Sequence, residues 1–311
     1  MSDEFRVKSA ILLSAGFATR LSPLSAILPK ALFPVLNVPL IRRWLEKLAG
    51  LGVERVVVNV HYLAEKLEGY LDGVRSDFPR LDVIISRERE ILGTGGGIKK
   101  AAGLLEEPFF VLNSDIYTDL SLDELSKNFF SHGDLLGTIA LGGFPGGTVS
   151  VGEGGRVLAF RAEGRAPGEL SRLHGLGVML LSPAVPPLLP DGFSDVIEDL
   201  NPLLGKGGRM TSVPLGRAFW SDMGTPGDYY RLNSVLAAGG RFVDEGAKVE
   251  GESSGFLVAG AGARVEKGAR VENCVFWPGA VAESGSELSS VIVAGRARSG
   301  LKMRGGVVTG L

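Results

Sequence analysis

Cysteine is nearly missing from this chain: 311 residues contain one, Cys274. A single thiol excludes an internal disulfide framework and suits a reducing compartment, so Cys274 is expected to serve as a small buried apolar side chain. Histidine is scarce as well, and His61, His132 and His174 show no metal-ligand spacing; each reads as a loop or strand residue rather than a catalyst. Charge of one sign is also lacking. The 33 Lys and Arg against 35 Asp and Glu leave a net −2, so no basic field invites nucleic acid or an anionic membrane. The N-terminal Met1-Ser2-Asp3-Glu4 is acidic and no long apolar segment follows it, so neither a signal peptide nor a membrane span is expected. These absences point to a cytoplasmic protein with no nucleic-acid or membrane partner.

What is present is a 45% hydrophobic chain rich in glycine, long enough for a sizeable core and two domains. Short apolar runs (Ala10–Leu13, Val56–Val60, Leu81–Ile85, Phe109–Leu112) alternate with amphipathic stretches. One such stretch opens at Asn37-Val38-Pro39 and sets Leu40, Ile41, Trp44, Leu45 and Leu48 on one face; another covers Ala64–Leu71. This alternation predicts an α/β fold, a Rossmann-like mainly parallel sheet flanked by helices. Between 137 and 160 glycines crowd between short apolar runs, which suggests antiparallel hairpins. A strand over Leu176–Leu181, a helical piece over Asp195–Leu204 and a helix over Pro226–Ala238 close the first domain, 1–238.

Beyond Gly239-Gly240 the period changes. Gly-Ala-x-Val recurs at Gly246, Gly262 and Gly268, and Val243–Val249 and Val265–Val271 are each six residues apart. A six-residue beat of small and β-branched residues predicts a short parallel β-helix over 241–311. The beat breaks at Ser253-Ser254-Gly255 and around Cys274–Trp277. Its open ends favour packing against another domain or a second copy, so a homo-oligomer through the tail or a sheet edge is expected.

The segment between Leu13 and Lys30 organises the chemistry. A strand stops at Ser14-Ala15-Gly16, where tiny side chains let a bulky ligand reach the backbone and successive N–H groups can cradle phosphate. Arg20 and Lys30 bring two cations, and Pro23 and Pro29 stiffen the path between them. Neither a Gly-Lys-Ser/Thr loop nor a three-glycine dinucleotide fingerprint is completed. The string Gly16-Phe17-Ala18-Thr19-Arg20-Leu21-Ser22-Pro23, then Pro29-Lys30, resembles the G-x-G-T-R-x-x-P…P-K signature of the sugar-1-phosphate nucleotidylyltransferases, with Ala18 in place of the second glycine. The likeness leans toward mannose-1-phosphate guanylyltransferases, and the tail is similar to the left-handed hexapeptide-repeat extension of several family members.

The resemblance implies a reaction in which a sugar-1-phosphate oxygen attacks the α-phosphorus of a nucleoside triphosphate and expels pyrophosphate. It implies that Asp115, after the fourth strand, and Asp222, in Trp220-Ser221-Asp222-Met223-Gly224-Thr225-Pro226, hold Mg²⁺. Arg20 is expected on the triphosphate tail and Lys30 between the two reacting phosphates, with Ser14, Ala15, Gly16, Thr19, Gly93 and Thr94 on the nucleotide. Glu88 is expected either to read guanine as an acceptor or to be a solvated charge in the run Arg87–Glu90. The loop Gly93–Gly97 is expected to precede a helix. Glu163 and Gly175 fall in the sugar region, where the family's Glu-Lys is Glu163-Gly164 here and Arg161 or Arg165 stands in for the lysine. GTP with mannose-1-phosphate is the first expectation, UTP or dTTP the second. A non-catalytic nucleotide-sugar sensor is the alternative of another class. An acyltransferase tail is disfavoured because no histidine follows His174.

Overall fold

Strand β1, Ser9–Leu13, begins with a residue almost closed to solvent and then buries Ala10, Ile11 and Leu12 fully. A strand wrapped on both faces needs apolar side chains on both, which the unbroken run supplies. It lies between β2, Arg55–Val60, and β4, Phe109–Asn113, with β3, Asp82–Arg87, beyond β2, all four parallel. The computed structural model describes residues 6–105 and 107–310; the acidic Met1–Glu4 discussed above lies outside them. The chain folds as two compact units, Met1–Gly16 with Trp44–Trp220, and Phe17–Arg43 with Ser221–Leu311. Compactness and repeat pattern therefore partition the chain differently, since residues 17–43 and 221–240 belong with the tail.

Helix α1 spans Leu40–Gly50 and begins just after the expected Asn37–Pro39, with Leu40, Ile41, Trp44, Leu45 and Leu48 buried as its amphipathic pattern requires. Helix α2, Ala64–Val74, buries Ala64, Leu67 and Leu71. One expectation is overturned here: Gly93–Gly97 is not a loop before a helix but the first turns of helix α3, Gly93–Lys100. Its glycines make room for close packing. A Cβ on Gly96 would sit 2.1 Å from the Gly192 carbonyl oxygen, and one on Gly95 would sit 2.3 Å from Ser194 Oγ and Asp199 Oδ2.

The first unit continues with α4, Leu122–Ser131, and β5, Gly137–Gly142, a fully buried central strand. Of the hairpins expected over 137–160, only one forms, between β6, Val149–Val151, and β7, Val157–Phe160. Strand β5 pairs instead with the long β8, Ser171–Leu181, antiparallel, and with β9, Met210–Pro214, parallel. Strand β8 also runs antiparallel to β4 and so joins this half to the parallel sheet. Helix α5, Val196–Gly205, is capped by Asp195, whose carboxylate accepts the Ile197 N–H.

In the second unit, helix α6 spans Pro226–Ala237, with Thr225 as N-cap and proline in the first turn. The tail that follows is a stack of short parallel strands. Val249, Val265, Ala282 and Ala297 pair in one column, and Ala259, Phe276, Val293 and Val308 in another, as successive coils of a β-helix require. The places where the hexad beat breaks coincide with its longest strands, Glu252–Ala259 and Arg270–Phe276. There the register slips between Ser254 and Leu257. Gly255 and Asn273 take positive φ at the slip, and Asn273 Oδ1 accepts the Phe256 N–H at 3.0 Å. Cys274 is buried in this core as expected, and burial pushes its thiol up to about 11.

Candidate active site

In the first unit the candidate residues gather at the C-terminal ends of parallel strands, where open α/β sheets carry their ligands. Leu13 pairs with Asn113, which brings the residues after β1 and β4 side by side. Ser114 reinforces this, its backbone N–H and its hydroxyl both donating to the Leu13 carbonyl, the hydroxyl at 2.8 Å. Half-buried Asp115 therefore follows directly on the Ser14 turn's neighbour strand. Ala15 is buried and Gly16 is exposed, and a Cβ added to Gly16 would meet nothing within 4 Å. No neighbour inside the protein demands glycine there.

The Ser14 N–H is not available to a ligand, because it donates to Asn59 Oδ1 at 2.6 Å. Asn59 is buried at the end of β2 and its Nδ2 donates to Glu88 Oε1 at 2.8 Å. Glu88 Oε2 accepts the Leu92 N–H at 2.9 Å, and its own backbone N–H donates to the Val60 carbonyl. Glu88 is only 3% exposed, which overturns its reading as a solvated charge: hydrogen bonds from an amide side chain and a main-chain N–H let the carboxylate leave water. Gly97 of α3 completes the arrangement, since a Cβ there would lie 2.8 Å from Asn59 Nδ2. One chain of hydrogen bonds thus ties the Ser14 turn to the Gly93 turn. Asn59 was missed from sequence because a polar residue inside Val56–Val60 reads as a minor interruption of an apolar strand.

Gly93 and Thr94 are held from another side. Gly93 has φ +70, and a Cβ on it would lie 2.3 Å from the Ser194 carbonyl oxygen. Thr94 Oγ1 accepts the Val196 N–H at 2.9 Å, which docks the segment before α5 on this turn. In the sugar region, Glu163 is exposed. Arg161 pairs with Glu198 and Asp195, at 2.7 and 3.4 Å. Arg165 donates to the Glu169 carbonyl, and hydrogen bonds from Arg172 and then Ser150 hold the Glu169 carboxyl down to about 2. Gly175 lies in β8 with ordinary contacts around its would-be Cβ. The glycine the backbone requires is Gly177, with φ +68 and Asn113 Nδ2 at 2.7 Å from that position. Three aromatic rings cluster nearby: Trp220 lies 5.0 Å from Phe144 and 5.7 Å from His174, and its Nε1–H donates to the Leu176 carbonyl.

In the second unit the charged candidates come together. Lys30, in a 3₁₀ turn over Lys30–Leu32, has its Nζ 3.4 Å from Asp222 Oδ1. Arg20 lies in the 3₁₀ turn Thr19–Leu21. A Cβ on Gly224 would lie 3.4 Å from one oxygen each of Asp222 and Asp228 and 3.6 Å from Arg20 Nη1. Arg20, Asp222 and Asp228 thus border the Gly224 backbone, and Lys30 joins them through Asp222. Asp228 was missed, although Thr225-Pro226-Gly227-Asp228 carries the signal of a capping box: the Asp228 N–H donates to Thr225 Oγ1 and the Thr225 hydroxyl donates to Asp228 Oδ2 at 2.7 Å. Ala18 stands at the N-cap of the Thr19 turn with φ 51, ψ 40, a left-handed conformation that glycine adopts without strain.

Among the described residues no group of three or more His, Cys, Asp or Glu side chains could hold a metal ion. Mg²⁺ is content with one or two carboxylates and keeps its waters, and the Asp222 side chain, 39% exposed with Lys30 balancing one oxygen, offers it a hard donor. No described helix is long and apolar enough to cross a membrane.

The chain matches the nucleotidyl transferase family over residues 9–163. It is 32% identical over 230 residues to the mannose-1-phosphate guanylyltransferase catalytic subunit beta of Danio rerio, and 30% identical over 234 residues to a mannose-1-phosphate guanyltransferase of Aspergillus oryzae. Each alignment covers 71% of this chain and 62% of the relative's length. A solved UDP-glucose pyrophosphorylase complexed with UDP-glucose superposes with a TM-score of 0.62 at 18% identity, covering 75% of this chain and 99% of that one, a likeness of fold. The small-residue turn after β1 and the parallel strands that carry it lie within residues 9–163, the part of the chain that matches the nucleotidyl transferase family.

Proposed function

We propose that this protein transfers a nucleoside monophosphate from a nucleoside triphosphate to a sugar-1-phosphate, releasing pyrophosphate, with GTP and mannose-1-phosphate as substrates. The observation that carries this reading is the cluster in which Arg20 and Asp222 border Gly224 and Lys30 pairs with Asp222. Two cations and a carboxylate gathered at one turn, with Asp222 39% exposed, suit a polyphosphate and its metal ion. The names of the guanylyltransferase relatives support the choice of substrates.

In the reaction, an oxygen of the sugar phosphate, already ionised, forms a bond to the α-phosphorus while the bond to the β-phosphate oxygen breaks. No protein nucleophile is needed, so the side chains position and neutralise charge. Lys30 draws the attacking phosphate and the α-phosphate together as a point charge. Arg20 takes the β- and γ-phosphates, and then pyrophosphate, through its planar donors. The small turn at Ala15 and Gly16 lets the nucleotide lie against backbone, with Thr19, Gly93 and Thr94 beside it. Asp115 and Asp222 would hold Mg²⁺, which supplies charge neutralisation at the phosphoryl oxygens when bound. Each oxygen of Glu88 accepts one bond within the fold and keeps a lone pair for a base donor. Glu163 and Gly175 line the sugar side. The 241–311 tail or a sheet edge joins copies into a homo-oligomer, and the protein works in the cytoplasm.

A second reading, a non-catalytic nucleotide-sugar sensor, is favoured by one observation: Arg161 and Arg165, which would replace the family's sugar-phosphate lysine, are engaged within the protein. Pyrophosphate release measured across GTP, UTP, dTTP and ATP with a panel of sugar phosphates, with and without Mg²⁺, decides between them. Turnover restricted to GTP with mannose-1-phosphate and Mg²⁺ is expected. Turnover with UTP alone would reassign the base, and binding of a nucleotide sugar without turnover would favour the sensor.

A further inference from the structure

Lys30 has no support from a long helix or a central strand. It sits in a three-residue turn and is followed by Phe33, whose N–H donates to the Lys30 carbonyl at 3.0 Å. What holds this segment in place is the remainder of the second unit. Phe33, Tyr229 and Trp277 are fully or almost fully buried and pack edge to face, Phe33 4.9 Å from Trp277 and 5.5 Å from Tyr229. A chain of hydrogen bonds runs through them. Trp277 Nε1–H donates to Tyr229 Oη at 2.9 Å, and the Tyr229 hydroxyl donates to the Pro34 carbonyl at 2.6 Å. Burial raises the Tyr229 phenol, so it stays protonated and keeps donating. One helical turn on, Asn233 accepts the Leu36 N–H and donates to the Tyr229 carbonyl. A second grip lies at Asn37, with φ 69, whose Nδ2 lies 3.1 Å from the carbonyls of Phe242 and Ala259 and from Asp244 Oδ1.

Both members of the Lys30–Asp222 pair are therefore anchored to the same helix. Asp222 ends a strand that leads through Gly224 and Thr225 into α6, and α6 presents Tyr229 and Asn233 to the segment that follows Lys30. We propose that the β-helix tail is part of the catalytic apparatus: Trp277, acting through Tyr229, and Asn37, acting through the first coil, are positioning residues that fix Lys30 opposite Asp222. The proposal rests on the nucleotidyl-transfer reading of Lys30 only for its catalytic consequence. The clamp itself is a statement about order in residues 30–37.

The full-length chain carries the test, in two readouts. Tyr229→Phe keeps the ring and removes the hydroxyl at the centre of the chain of bonds; Trp277→Phe removes the N–H donor. Tyr230→Phe is the control, since it deletes a bond between α6 and the tail, 2.9 Å from its hydroxyl to the Asn273 carbonyl, that does not lead toward Lys30. Amide exchange over residues 30–37 is expected to accelerate about tenfold in Tyr229→Phe and about threefold in Trp277→Phe, as the loss of one and of a more remote bond requires. The expected kinetic signature is a kcat lowered roughly tenfold at a KM for the triphosphate changed less than twofold, because a displaced Lys30 matters most in the transition state. Tyr230→Phe should match the wild type in both. Wild-type exchange in Tyr229→Phe, or an equal effect in Tyr230→Phe, would overturn the clamp. A wild-type protein that releases no pyrophosphate would sink the functional reading alone, since the exchange measurement still decides the clamp.

Discussion

The candidate residues of the first unit and those of the second are held by opposite means. In the first, Ser14, Asn59, Glu88 and Leu92 form a buried chain in which every bond is accepted or donated by the protein itself, one carboxylate included. In the second, Arg20, Lys30, Asp222 and Asp228 are charged groups gathered at one turn, and an aromatic cluster packs several residues away. The first arrangement is fixed by its own hydrogen bonds, so that losing one partner leaves a buried polar group unmet. The second pairs its charges with one another and borrows its rigidity.

That contrast can be broken most strongly at Lys30. Lys30→Met, near in length and uncharged, is expected to lower kcat by about 10²- to 10³-fold, the effect of deleting one charge-stabilising donor, while the urea midpoint hardly moves; a pyrophosphate-release assay and a denaturation curve check both. Next comes Glu88, where the weight should fall on stability. Glu88→Ala leaves the Asn59 amide and the Leu92 N–H without their acceptor, a loss of about 2–3 kcal/mol, and Glu88→Gln, which retains an acceptor, should lose roughly half as much. Equal stability in Glu88→Ala and wild type would mean the chain of bonds does not order the two turns.

Alkaline pH separates the units by their scaffolds. Cys274 lies in the core of the tail, and its folded pKa of about 11 stands above the ordinary value of 9.0. The thiol contributes its stability in full below the unfolded value, and that contribution is lost as pH rises from there through about 11. Unfolding of the second unit should therefore ease by about 1 kcal/mol at pH 10, and Cys274→Ala should flatten this slope in a pH series of melting curves. The smallest expected change is a gain. The left-handed backbone of Ala18 costs about 1–2 kcal/mol, of which glycine's freer unfolded state takes back roughly half, so Ala18→Gly should stabilise by about 0.5–1 kcal/mol. The urea midpoint reads it, and a lower midpoint would show that this turn is not strained.

The parallel sheet was legible from Ala10–Leu13, Val56–Val60 and Phe109–Leu112 because a strand buried on both faces has to be apolar throughout. Reading glycines as a loop failed on Gly93–Gly97, the first turns of α3. Glycine has two meanings, conformational freedom and absence of bulk, and only the surroundings, Gly192 and Asp199 pressed against α3, select the second. The Arg20 and Lys30 positions could be read from the register of one short string. Asn59 could not, because its role depends on Ser14 and Glu88, distant in the chain and adjacent only across β2. The tail's columns followed from its six-residue beat, yet its longest strands run through the positions where that beat breaks.

By itself, then, the order of residues determined the periodic features, which strands and helices form, that the tail coils, and that small residues and cations sit after β1. These depend on neighbours within a few residues, where spacing alone dictates which face is buried. Tertiary structure decided which polar groups meet: that Glu88 is enclosed rather than solvated, that Lys30 faces Asp222, and that Trp277 reaches Pro34 through Tyr229. Such pairings join segments far apart in the chain. A hydrogen bond or an ion pair exists only when the fold has brought both partners to contact distance, and no pattern along the chain encodes that distance.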